Sequence, residues 1–119
     1  MASRKQEWKR RNPEKVWAAA AAHNSRLRAK KKGLTHEITA EYILSILPEE
    51  CPIFETEFVF YGNKVPGAKS ATIDRIWANE GYIPGNIRII SGKANRIKNA
   101  YMAEDVLRVG NWLLAQEKL

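Results

Sequence analysis

Asp74 and Asn95 are the side chains of this chain that could hold a hard cation between a strand and a helix. They stand 21 residues apart, the first at the end of a predicted strand and the second on a predicted helix further along. Hydrolysing a phosphodiester takes a metal held against the scissile phosphate, a base that activates water, and stabilisation of the developing charge. Mg²⁺ takes oxygen ligands and keeps several waters, so one or two protein ligands suffice. Residue type and spacing do not single out this pair by themselves. Asp74 followed by Arg75 also suits an ordinary surface ion pair, and Asn95 could face solvent on its helix. No zinc is expected. Cys51, the one cysteine, falls short with His23 and His36 of the several thiolates or imidazoles that a structural zinc site gathers. Cys51 reads as a buried structural residue with no partner for an internal disulfide.

The stretch 70–99 has to position the pair. Thr72–Trp77 reads as a strand, Asn79–Gly85 as a loop with two glycines and a proline, and Ile87–Ile90 as a second strand. Ser91 can cap a helix running to about Asn99. Upstream, Asn12 caps and Pro13 opens a long helix that Gly33 ends after Lys32. Its centre is Val16-Trp17 and five alanines, which favour helix but cover little surface. This helix is therefore expected on the surface or against a partner. Residues 1–11 read as a flexible or weakly helical arm. Thr39 caps a short helix to about Leu47, with Tyr42, Ile43, Ile46 and Leu47 in the core and Pro48 as the stop. Phe58–Tyr61 reads as a strand and 62–70 as a loop. The final amphipathic helix, over about 103–118, has Val106, Leu107, Val109, Leu113 and Leu114 as its expected core residues, with Trp112 beside them. Trp17, Trp77 and Trp112 are read as packing residues. The fold class is α+β, divided into a basic arm and helix over 1–33 and a second unit over 34–119.

Charge is distributed unevenly. The net charge is +7, but residues 1–32 hold 11 Lys/Arg against 2 Glu, and 33–62 hold 6 Glu and no Lys or Arg. A second basic share lies around 88–98. This asymmetry is the electrostatic footprint of a polyanion binder, although a charged run also serves as a solvated face. The cations that could meet a phosphate backbone are Arg10, Arg11, Arg26, Arg28, Lys30, Lys31 and Lys32 in the first segment, and Arg88, Lys93, Arg96 and Lys98 in the second. No apolar run reaches the ~18 residues that span a bilayer. No apolar core follows Met1, so the expected location is the cytoplasm.

Residues 72–98 resemble the HNH motif of small phage and homing endonucleases. The matching text is Ile73-Asp74-Arg75-Ile76, Gly81-Tyr82, Gly85-Asn86-Ile87, Ile90-Ser91, Ala94-Asn95 and Lys98. Upstream, Arg28-Ala29-Lys30-Lys31-Lys32-Gly33-Leu34 and Cys51-Pro52 extend the likeness to about residues 12–115. The resemblance implies a ββα-metal module with a long basic N-terminal helix and a C-terminal helix. It also implies a metal-dependent endonuclease acting on double-stranded DNA. Asp74 and Asn95 would be ligands of Mg²⁺ or Mn²⁺, and Asn86 would brace the loop over the site. Arg88, Lys93, Arg96 and Lys98 would contact phosphates.

The chain departs from that family at Arg75, which stands where the general-base histidine is expected. A guanidinium cannot take up a proton at neutral pH, though it can bind a phosphate and stabilise charge. Metal-bound water, Glu80 and His36 remain open as the base. Two other functions stay open as well. One is a DNA-binding protein on a degenerate HNH scaffold. The other is a phage protein-interaction factor, working as a homodimer or on a phage or host protein.

Overall fold

A computed structural model describes residues 3–60 and 67–117. Met1 and Ala2 of the predicted arm, Tyr61 of the predicted strand, residues 62–66 at the start of the predicted 62–70 loop, and Lys118 lie outside the described residues. Within them the chain is α+β, with five helices and one two-stranded antiparallel sheet. Among the described residues, no helix is long and apolar enough to cross a membrane.

The N-terminal arm is helical. Ser3 forms a capping box with Gln6 at the start of α1 (Arg4–Arg11), which fixes a turn that composition alone leaves weak. Helix α2 (Pro13–Lys32) opens on Pro13 and ends at Gly33, whose φ of 67° is the left-handed conformation that favours glycine. Asn12 makes no side-chain cap; its Nδ2 donates to the Trp8 carbonyl at 2.8 Å and ties α1 to α2. Thr39 caps α3 (Ala40–Ile46) by accepting from the Tyr42 N–H.

Strands β1 (Ala71–Arg75) and β2 (Ile87–Ser91) pair in a register that sets Asp74 opposite Arg88. β1 stops before Trp77, because there the Asn86 backbone and side chain take the N–H groups of Ile76 and Trp77. Ser91 caps α4 (Gly92–Ala100), so sheet and helix join without a connecting loop. Among the described residues of the predicted 58–61 strand, only an isolated bridge forms, between Val59 and Ser70.

Two expectations about which helix faces are buried are corrected. Helix α2 is not a surface helix: Ala18, Ala22, Ser25 and Ala29 form a buried stripe. The three alanines pack with Ile38, Ile43, Ala71, Ile87 and Ile89 in the main core. Small side chains let the partner elements approach the α2 backbone closely. Helix α5 (Ala103–Glu117) fails in the opposite sense, since its expected core residues are exposed, from Val106 at 39% to Leu107 at 64%. Among the packing tryptophans, only Trp17 joins the core, donating from Nε1 to the Ala71 carbonyl at 3.1 Å. Trp77 and Trp112 are exposed. Cys51 is buried with Ile90 and Ala94 in a smaller cluster, and its Sγ accepts from the Ser91 N–H.

Candidate functional site

Alternation along β1 puts Thr72 and Asp74 on one face. That face meets α4 on one side and α2 on the other, and a cleft runs between them. Asp74 is only 4% exposed and carries two ion pairs. Its Oδ1 accepts from Lys98 Nζ at 2.8 Å, and its Oδ2 from Arg88 Nε at 2.9 Å. The Arg88 pair follows from the strand register, because directly opposed residues place their side chains on the same face. The Lys98 pair follows from α4 starting straight after β2. Lys98 Nζ also donates to the Arg75 carbonyl at 3.3 Å. Asn95, nearly one turn before Lys98, donates from Nδ2 to Thr72 Oγ1 at 3.0 Å, and its Oδ1 accepts from Asn99 at 2.8 Å. Thr72 in turn donates to the Ile90 carbonyl at 2.7 Å.

The opposite wall is one face of α2, with Trp17, Asn24, Arg28 and Lys32. Among the described residues, Arg28, Lys32, Arg75 and Lys98 thus line the cleft against a single carboxylate, Asp74. Such a surplus in a concave, partly desolvated surface attracts a polyanion more strongly than the same charges spread over a convex one.

The loop between the strands is held from inside. Asn86, 3% exposed, accepts from the Trp77 N–H at 2.9 Å and donates to the carbonyls of Trp77 at 3.1 Å and Gly81 at 2.8 Å. Gly81 lies so close to the chain before α3 that a Cβ there would stand 2.3 Å from the Thr35 carbonyl oxygen. Tyr82 pairs with that segment on both sides, through its N–H to Thr35 and its carbonyl to Glu37. Arg75 turns its guanidinium onto the Ala78 and Glu80 carbonyls and over the Tyr82 ring, 5.2 Å from the centroid. Arg28 stands 5.7 Å from the same centroid and donates from Nε to the Tyr82 hydroxyl at 3.3 Å. Tyr82 therefore gathers two cations that would otherwise repel.

The structure brings Asp74, Arg75, Asn95, Lys98, Arg28 and Lys32 to one cleft, with Arg88 bonded to its carboxylate and Asn86 behind its loop. It does not bring Arg10, Arg11, Arg26, Lys30, Lys31, Lys93 or Arg96 to that cleft. Arg10 lines a separate groove with Pro13, Val16 and Phe60, and Lys93 places its ammonium 4.7 Å from the centroid of the Phe54 ring. Neither side-chain candidate for the base lines the cleft. His36 Nε2 is bonded to the buried Ser25 Oγ at 2.8 Å, on the core side of α2. Burial lowers its pKa below the ordinary value, and the nearby Arg26 and Arg28 lower it further. Glu80 meets the site only through its backbone carbonyl.

Tyr82 and Thr72 are neighbours of the candidate site residues that the sequence reading left without a role. Thr72 was legible as the residue two before Asp74 on the same strand face. Tyr82 had no such signal, since both its cation contacts depend on where α2 packs.

Asp74, Asn95 and Thr72 present a carboxylate, an amide and a hydroxyl oxygen, donors of the kind that Mg²⁺ or Mn²⁺ takes. Among the described residues no three of His, Cys, Asp and Glu cluster, so water would complete most of the shell of such an ion. The donor set fits a hydrated hard cation in kind, with Lys98 and Arg88 already on the carboxylate and the Asn95 oxygen accepting from Asn99. No family model, no curated protein and no solved structure matches this chain.

Proposed function

We propose that this chain is a metal-dependent endonuclease of HNH type that hydrolyses or nicks phosphodiester bonds in duplex DNA. The observation that carries the reading is the meeting of Asp74 from β1 and Asn95 from α4 in one cleft lined by four cations. The strand–loop–strand–helix order of β1, β2 and α4 and the resemblance of residues 72–98 to the HNH motif support the ββα-metal assignment. Arg28 and Lys32 on α2 and Lys98 on α4 bind backbone phosphates, which hold the duplex without reading its sequence. Asp74 and Asn95 would hold the Mg²⁺ or Mn²⁺, which would supply positive charge to polarise the phosphate. Arg75 is a positioning residue: it clasps the Ala78 and Glu80 carbonyls and keeps the loop in place.

Supercoiled plasmid incubated with Mg²⁺ or Mn²⁺ tests the reading. The expected result is nicked circles in the wild type and none above background in Asp74→Ala. Each phosphate contact contributes about −0.9 to the slope of log affinity against log salt, so Lys32→Ala should flatten that slope by about 1. Affinity for DNA that ignores salt would overturn the reading.

A second reading, a DNA-binding protein without catalysis on the same scaffold, is favoured by Arg75. The residue at the base position is a guanidinium tied to loop carbonyls, and neither His36 nor Glu80 reaches the cleft with its side chain. Salt-sensitive duplex binding with no nicking under either metal selects this reading.

A further inference from the structure

We infer that Lys98 is a tethered cation that holds Asp74 until nucleic acid draws it away, so that a divalent ion binds tightly only together with a phosphodiester. The inference rests on the endonuclease reading above and adds a control to its site.

The carboxylate of Asp74 has a side chain 3% exposed, and each of its oxygens already faces a positive group, Lys98 at 2.8 Å and Arg88 at 2.9 Å. A divalent ion approaching Oδ1 must displace an ammonium rather than fill an open position. The two cations differ in how readily they can leave. Arg88 is set opposite Asp74 by the strand register and does not line the cleft. Arg88 is the more exposed of the two, 49% against 35%, but Lys98 is the one that lines the cleft together with Arg28 and Lys32, where a phosphate would enter. An ammonium on a four-carbon stem is a compact charge with three rotatable donors, so it can exchange one oxyanion for another with little geometric loss. Its other bond, 3.3 Å to the Arg75 carbonyl, is to a neutral group.

A phosphodiester entering the cleft meets Lys98 as one of four cations. Once the ammonium turns to the phosphate, Oδ1 is released. Nucleic acid and divalent cation then both favour the form with Lys98 withdrawn, and linkage requires each to strengthen the other by the same factor. The protein alone holds a neutralised carboxylate and binds the ion poorly.

Mn²⁺ binding to the full chain, followed by the loss of the free-ion electron paramagnetic resonance signal, needs no catalysis. Without DNA, Lys98→Met and Lys98→Gln should bind Mn²⁺ about tenfold more tightly than the wild type, the scale of one partly exposed charged hydrogen bond. Adding Asp74→Asn to either should abolish the gain. A short duplex with non-hydrolysable linkages should raise the Mn²⁺ affinity of the wild type by a similar factor and that of Lys98→Met by less. Equal, Asp74-dependent affinity in wild type and Lys98→Met would overturn the role of Lys98 and leave the endonuclease reading in place. An absence of Asp74-dependent Mn²⁺ binding in every form, with and without duplex, would overturn both.

Discussion

Helix α2 carries five consecutive alanines and a cationic end, and it lies against the core with Ala18, Ala22, Ser25 and Ala29 buried. Helix α5 carries Val106, Leu107, Val109, Trp112, Leu113 and Leu114, and every one of these is exposed. It makes at most marginal contact with any other element. Burial here follows fit rather than hydrophobicity. A stripe of small side chains lets α3 and β1 come close to the α2 backbone, and close packing recovers in contacts what alanine lacks in apolar area. A stripe of large apolar residues secures a helix only where a complementary surface meets it. The difference has a functional side, because the burial of one face of α2 aims the adjoining face, with Arg28 and Lys32, into the cleft.

The largest test of this contrast is overpacking. Ala18, 0% exposed, has no room for three more carbons. Ala18→Leu should therefore destabilise the fold by up to about 3 kcal/mol in urea unfolding. A neutral Ala18→Leu would mean that α2 is loosely attached and that the cleft has no fixed second wall.

A smaller effect is expected at the polar member of the stripe. Ser25→Ala removes the hydroxyl between His36 and the Ala22 carbonyl, and should cost about 1 kcal/mol. The same pair gives the contrast a pH signature. The folded pKa of His36 is lowered, so the unfolded chain binds the proton more readily. The stabilising contribution is fully present above the ordinary value of 6.5 and is lost as pH falls through the lower folded value. Urea midpoints at pH 7.5 and 5 should accordingly fall further in the wild type than in His36→Gln.

The smallest effects belong to α5. Leu107→Ser and Leu113→Ala should each change stability by no more than about 0.5 kcal/mol, as at an ordinary surface position. A loss well beyond that, or one that grows with protein concentration, would show that α5 is covered in solution.

Much of the site was legible before the fold. The order of strand, loop, strand and helix over 71–100 follows from β-branched runs, turn residues and the Ser91 cap, all local signals. Asp74, Asn95 and Lys98 could be named from the resemblance to a known motif, since their spacing alone does not single them out. Their bonding could not. That Lys98 lies on Asp74 rather than free toward a phosphate, and that Asn95 turns its amide to Thr72, depends on the angle at which α4 leaves β2. Arg75 likewise reads as an anomaly in sequence, and only the loop folded over it supplies the carbonyls it serves.

The linear chain by itself determined where the helices α2, α3 and α4 begin and where α2 ends, because Pro13, Thr39, Ser91 and Gly33 act within a turn of their own positions. It determined the uneven charge as well, since charge needs no partner to be counted. The core face of α3 was legible in its periodicity, but which faces of α2 and α5 are buried was decided only by the tertiary structure. Hydrophobic periodicity measures a tendency to leave water, whereas burial requires a second surface of matching shape, and that surface came to the alanines of α2 and not to the leucines of α5.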